Sequence, residues 1–161
     1  MLIVSFALTF ILIVFAFPAL PINGELLDLK PGYTFQEVVA EMEIYGESGR
    51  AVYAWASPTL DTFFPIVYVT FFAGLIYRCR PTESLWWLAL LPIVAGLWDL
   101  AENAQITTML LQYPDISSTQ VDTASFFTIV KGYMGMIYQS LGVLLLLVSL
   151  IRAGIGKFRS S

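Results

Sequence analysis

Histidine is absent from this sequence of 161 residues, and cysteine occurs once, as Cys79. Without histidine there is no His-ligated haem, no His zinc site, no 2-His-1-carboxylate iron site and no Ser-His-Asp triad. A single cysteine excludes an intramolecular disulfide and a CxxC redox pair. No resident metal or cofactor is therefore expected. Cys79 lies between Arg78 and Arg80 and reads as an interfacial residue, with reversible acylation as the minor alternative. Charge is also scarce. Charged residues make up 12% and hydrophobic residues 58%, where a soluble domain has about 25% and about 45–50%. The formal charge of −4 offers nucleic acid no basic surface. There is no internal repeat and no low-complexity segment. "GESGR" (46–50) lacks the GK[ST] ending of a phosphate-binding loop and reads as a helix break.

What the sequence does have is long apolar runs. About 20 such residues are needed to cross about 30 Å of hydrocarbon, and four runs qualify: Leu2 to Leu20, Thr59 to Tyr77, Leu85 to Gln112 and Ala124 to Ile151. The expected fold is all-α, an integral membrane four-helix bundle forming a single transmembrane domain over residues 1–161. The first run lacks a basic n-region and an A-x-A cleavage site, so it reads as a retained helix rather than a leader. It is closed by Pro18, Pro21 and Gly24. Basic residues set the orientation. Arg78 and Arg80 lie between the second and third runs, and Arg152, Lys157 and Arg159 follow the fourth. Both termini are then expected on the cytoplasmic side.

The outer segment between the first two runs carries a helical signature of its own. Phe35, Val38, Val39, Met42 and Tyr45 recur at i, i+3, i+4 and i+7. Thr34 and Glu37 form a capping box, and Gly46 is a stop. This predicts a short amphipathic outer helix over about 34–46. Six acidic and two basic residues lie between Pro21 and Pro58, which disfavours anionic lipid, so a cap over the bundle is preferred to a surface helix.

The candidate site comes from charge placed inside hydrocarbon. Asp99, Glu102 and Asn103 interrupt the third run at i, i+3 and i+4 and share one helix face. A rise of about 1.5 Å per residue puts Asp99 roughly 9 Å below the outer boundary, and Lys131 of the fourth run at the same depth. The two are expected to pair, each offsetting the other's desolvation. Asp61 enters near that level on the second run, where Asp61, Pro65 and Tyr68 line a face. Lys131, Met134, Gly135 and Tyr138 line a face of the fourth, with Gln139 adjacent. Arg50 is a second cation should the cap fold over. Trp55, Trp86, Trp87 and Trp98 read as interface or packing aromatics. Gly132, Gly135 and Gly142 read as points of close helix contact.

The segments "YAWASPTLDTFFPIVY", "DLAENAQ" and "FTIVKGYMGMIY" resemble those of a group of small bacterial four-helix membrane proteins. These carry D-x-x-F-P and D-x-x-E-N elements and a later lysine in the fourth helix. The resemblance covers roughly residues 32 to 150. It matches Asp61, Pro65, Asp99, Glu102, Asn103 and Lys131, and it implies a bacterial inner-membrane location. It carries no activity with it. In layout alone the chain also looks like sterol-isomerase-type (emopamil-binding) proteins, which bind amphiphiles among carboxylates, though their sequence motif is not found here. A similar layout in quinone-linked thiol oxidoreductases is excluded by the cysteine count.

Three readings follow. The first is an outward-facing polar pocket that binds an amphiphilic small molecule or membrane lipid, with acid–base chemistry from a protonated Glu102 or Asp61 open. The second is a structural accessory subunit of a larger membrane complex, its polar cluster serving as interhelical glue. The third, an ion-coupled carrier, is the weakest, because no charge continues the path through the inner half.

Overall fold

The computed structural model describes residues 1–159, with side chains described to residue 155; the basic side chains of Lys157 and Arg159, used above for orientation, lie outside that range. Among the described residues the chain is all-helical, with five α-helices and no strand: α1 (Leu2–Ile11), α2 (Phe35–Ala56), α3 (Leu60–Cys79), α4 (Leu90–Gln112) and α5 (Ser118–Arg159). Three helical segments are long and apolar enough to cross a membrane: Leu60–Cys79, Glu83–Gln112 (a 3₁₀ turn continuing into α4) and Ser118–Ile155.

The first apolar run is shorter as a helix than its sequence implies. α1 widens into a π-type turn over Leu12–Ala16, and Pro18, having no N–H, cannot prolong it. Leu2–Ala16 rises only about 22 Å at about 1.5 Å per residue. Its hydroxyls are turned back on the helix: Ser5 donates to the carbonyl of Met1 or Leu2 (3.1 Å each) and Thr9 to that of Ser5 (2.8 Å). α1 packs on α3 and makes no substantial contact with α5.

The helix between the first two apolar runs, α2, starts where expected. The Thr34 hydroxyl accepts from the Glu37 amide, and the Glu37 carboxylate accepts from the Thr34 amide at 2.7 Å. The box satisfies two amide donors at the helix start that have no intrahelical partner. The bond from the Thr34 amide holds the Glu37 carboxyl below its ordinary range. Its contribution is therefore present above the ordinary carboxylate range and lost as pH falls through the folded value.

Gly46 does not end the helix. It kinks it, with φ at 63°, a conformation that glycine adopts without strain. A second helical stretch then runs on to Ala56. Val38, Met42 and Tyr45 from the first half and Tyr53 from the second pack against Ile106, Met109 and Leu110 of α4. The helix is thus longer than 34–46 and sits on the C-terminal half of α4. Burial pushes the Tyr45 and Tyr53 phenols upward, and both donate to the preceding segment: Tyr45 to the Glu25 carbonyl (2.5 Å) and Tyr53 to the Asp28 carboxylate. Lys30 bridges Glu25 and Glu41 at 3.0 and 2.9 Å, which fastens that segment to α2.

Gly32 lets the chain approach α5 closely. It has φ of +137°, and a Cβ there would lie 3.0 Å from Ile129. The next residue, Tyr33, donates its amide to Ser125 of α5 at 2.9 Å. Away from α2, Tyr68, Ile76, Ala95, Tyr138 and Leu145 join α3, α4 and α5 into a second apolar core.

Candidate functional site

Pro65 sits inside α3, where its missing N–H leaves the carbonyl four residues earlier without its helical donor. That carbonyl belongs to Asp61, and Asn103 of α4 donates to it at 2.8 Å. A buried carbonyl without a partner is costly, so the proline of one helix accounts for the amide of the next. Ser57, at the end of α2, donates in turn to the Asn103 carbonyl at 3.2 Å. Asn103 is therefore a fastener between α3 and α4.

One turn away, Lys131 of α5 joins three groups. Its ammonium is in contact with Glu102 Oε2, lies 3.5 Å from Asp99 Oδ1, and donates to the Asp28 carbonyl at 3.2 Å. The expected partnership with Asp99 is present, yet Glu102 is the nearer carboxylate. The helical spacing explains this, since Asp99 and Glu102 at i and i+3 flank one ammonium together. Glu102 is 0% exposed, and its other oxygen accepts from Thr128 at 2.5 Å. The Tyr33 hydroxyl stands 3.3 Å behind that threonine. Asp99 Oδ2 accepts from Tyr68 at 2.9 Å. The Tyr68 ring stacks on Tyr138 with centroids 5.9 Å apart, and Gln139 follows at the exposed rim.

These residues divide into two groups. Glu102, Asn103, Thr128 and Ser57 are sealed between helices. Asp99, Lys131, Tyr68, Tyr138 and Gln139 instead line a cavity of about 440 Å³. Its remaining walls are mostly apolar and include Phe6 of α1 and Ile13 of the π-type turn after it, Phe71 and Phe72 of α3, and Met136 of α5. Phe6, Ile13 and Met136 are themselves more than half exposed, so the cavity reaches the protein surface between α1 and α5. A second cavity of about 380 Å³ adjoins it, sharing Ile13, Asp28, Leu29 and Phe64, and Asp61 borders this one. Glu102, which the sequence offered as a candidate acid, is on neither wall. The carboxylates that meet the cavities are Asp28, Asp61 and Asp99.

Two expectations need correcting. Arg50 is not in the cluster. It donates to the Met42 carbonyl at 2.7 Å, and its guanidinium lies 4.6 Å from the centre of the Tyr113 ring. The kink at Gly46 directs it along α2, where it ties the two halves together. Nor do Gly132 and Gly135 serve close helix contact. A Cβ on Gly132 would meet nothing within 4 Å, and one on Gly135 only Gln139 of its own helix; both border the larger cavity. Gly142 does pack closely, 3.2 Å from Phe72, but a tighter helix seam is at Gly96, which sequence reasoning did not single out.

Sequence reasoning also passed over Asp28, Tyr33 and Thr128. The first two lie in an irregular segment without periodicity. Thr128 is one hydroxyl in an apolar run, and only its i−4 offset from Gly132 and its position a turn above Lys131 could have marked it.

The fold and site together define an all-helical protein with three helices suited to crossing a membrane and a buried ion-pair cluster that forms one wall of a surface-reaching cavity. Compared with models of protein families, with curated proteins and with solved structures, the chain matches none.

Proposed function

We propose that this is an integral membrane protein, of the bacterial inner membrane as its sequence resemblance implies, in which α1, α3, α4 and α5 form a four-helix bundle that binds an amphiphilic small molecule or lipid. The observation that carries this proposal is the larger cavity. One wall is polar (Asp99, Lys131, Tyr68), most of the rest is apolar, and its mouth lies between α1 and α5, both of which expose apolar side chains. A ligand with a polar head and an apolar chain matches both surfaces. Native mass spectrometry from mild detergent is expected to show a retained amphiphile on the wild-type protein. The double variant Gly132→Leu/Gly135→Leu fills open space beside the cavity and replaces two helix-interior glycines with a better helix former. It is expected to remain at least as stable and to lose the bound mass. Equal retention by both proteins would defeat the assignment.

The sealed half of the cluster favours a second reading, that of an accessory subunit. Glu102 and Asn103 bond to α5, to the end of α2 and to α3 without touching either cavity, as interhelical glue would. Under that reading the same spectra show protein chains retained in place of a ligand.

Within the proposal both termini face the cytoplasm and α2 caps the outer side. Trp55 at the outer end and Trp86 and Trp87 at the other are all about half exposed, as aromatic belts at two interfaces are. In a Cys79→Ser background, an impermeant thiol reagent added from outside should label Asp115→Cys, in the exposed α4–α5 loop, and spare Ser160→Cys. Labelling of Ser160→Cys would invert the orientation.

A further inference from the structure

The smaller cavity has an unusual balance of groups. Its walls are apolar (Ile13, Phe17, Leu26, Phe64) apart from two carboxylates, Asp28 and Asp61, and no lysine or arginine borders it. Asp61 is 8% exposed. Among the described residues, its carboxylate has neither a hydrogen-bond donor nor an ion-pair partner, although its backbone carbonyl is bonded by Asn103. A buried carboxylate left alone in apolar surroundings is costly, and such a group marks a functional site in a membrane segment.

The neighbouring cation cannot supply the missing charge. Lys131 is already engaged: its ammonium is in contact with Glu102, stands 3.5 Å from Asp99 and donates to the Asp28 carbonyl. Two carboxylates, Asp99 and Glu102, already share that ammonium, and neither Asp61 nor the Asp28 carboxylate is paired with it. One oxygen of Asp28 accepts from Tyr53, leaving the other for a second donor. Phe17 and Phe64 meet edge to face with ring centroids 5.4 Å apart, and aromatic faces of this kind attract a cation.

We infer that the amphiphile is cationic, a long-chain amine whose ammonium head sits between Asp61 and Asp28 beside Phe64, in the smaller cavity rather than at the Asp99–Lys131 wall, while its chain runs along the apolar walls of the adjoining larger cavity. This rests on the amphiphile-binding function proposed above and specifies its head group. The ammonium supplies what the wall lacks, a positive charge and several N–H donors. A phosphate or carboxylate head would meet only like charge there, with no uncommitted cation to receive it. A hydroxyl head would hydrogen-bond without balancing the charge.

The test is a titration at neutral pH of the full chain in mild detergent, read by native mass spectrometry, with tetradecylamine, tetradecanol and tetradecanoate. The three share a chain and differ in head. The amine is expected to bind at least about tenfold more tightly than the alcohol, and tetradecanoate more weakly still, because a charge-assisted bond exceeds a neutral one. Asp61→Asn should remove most of that preference by weakening the amine far more than the alcohol, with Asp28→Asn as the second variant carrying the same expectation. Equal binding of the three heads, or a preference untouched in both variants, would overturn the cationic head while leaving the pocket in place. Failure of all three probes to bind would overturn the pocket and the head assignment together. Loss of all three in Gly132→Leu/Gly135→Leu, with selectivity lost only in the aspartate variants, supports both.

Discussion

Replacing Lys131 with methionine is expected to destabilise the protein by about 3–5 kcal/mol, the usual cost of removing one partner of a buried ion pair. The ammonium touches Glu102 and stands 3.5 Å from Asp99, so its loss strands two carboxylates. Restoring neutrality at the right position should recover most of the loss. Glu102 is fully sealed and in direct contact with the lysine, so Glu102→Gln/Lys131→Met is the compensating pair. Asp99→Leu/Lys131→Met should recover less, because Glu102 is still left without its cation and the Tyr68 hydroxyl loses its acceptor. The comparison is made by reversible unfolding or thermal melting in one detergent. Should the Glu102 double variant be as unstable as Lys131→Met alone, the sealed pair is not what fastens α4 to α5.

The second large effect is expected at Gly96. A Cβ there would lie 2.7 Å from the Val69 side chain and 3.8 Å from Pro65, in the seam between α3 and α4. Gly96→Leu must push the helices apart, at a cost of about 1–3 kcal/mol or more for overpacking. The separation would also strain the bond from Asn103 to the Asp61 carbonyl. Gly132→Leu has the same chemistry at a site with no neighbour within 4 Å and should cost nothing. Melting curves for the two variants decide the matter. Equal stability would mean that the seam at Gly96 is looser than its geometry states.

That pair of glycines shows where the sequence is informative and where it is silent. Both sit in apolar helices, and composition does not say whether a missing side chain admits a helix or leaves a void. Only the positions of Val69 and of α1 decide it. Helical spacing was informative for Asp99, Glu102 and Asn103: they do share a face, and the two carboxylates do meet Lys131. It did not show that Asn103 answers a carbonyl freed by Pro65, because that relation crosses from one helix to another. The capping box at Thr34 was legible because it is local. The kink at Gly46 was legible as an interruption, but the continuation to Ala56 and the fate of Arg50 depend on packing against α4 and Tyr113. Asp28 was hidden for the same reason. It lies in an irregular stretch of chain, and only the docking of Gly32 and Tyr33 on α5 brings it to the cavities.

The gap between α1 and α5 changes what affinity means for this protein. With the membrane placement proposed above, a ligand that enters through it comes from the bilayer and not from water. Each methylene of its chain has already contributed about 0.8 kcal/mol to partitioning before the protein is met. The relevant measure is then a mole fraction in lipid rather than an aqueous concentration. The local supply can be far above the bulk one, in the way that tethering raises an effective concentration. Modest contacts at the head group are enough under those conditions. The head group's few bonds need to provide selectivity among molecules that the membrane has already gathered, and little of the total binding energy.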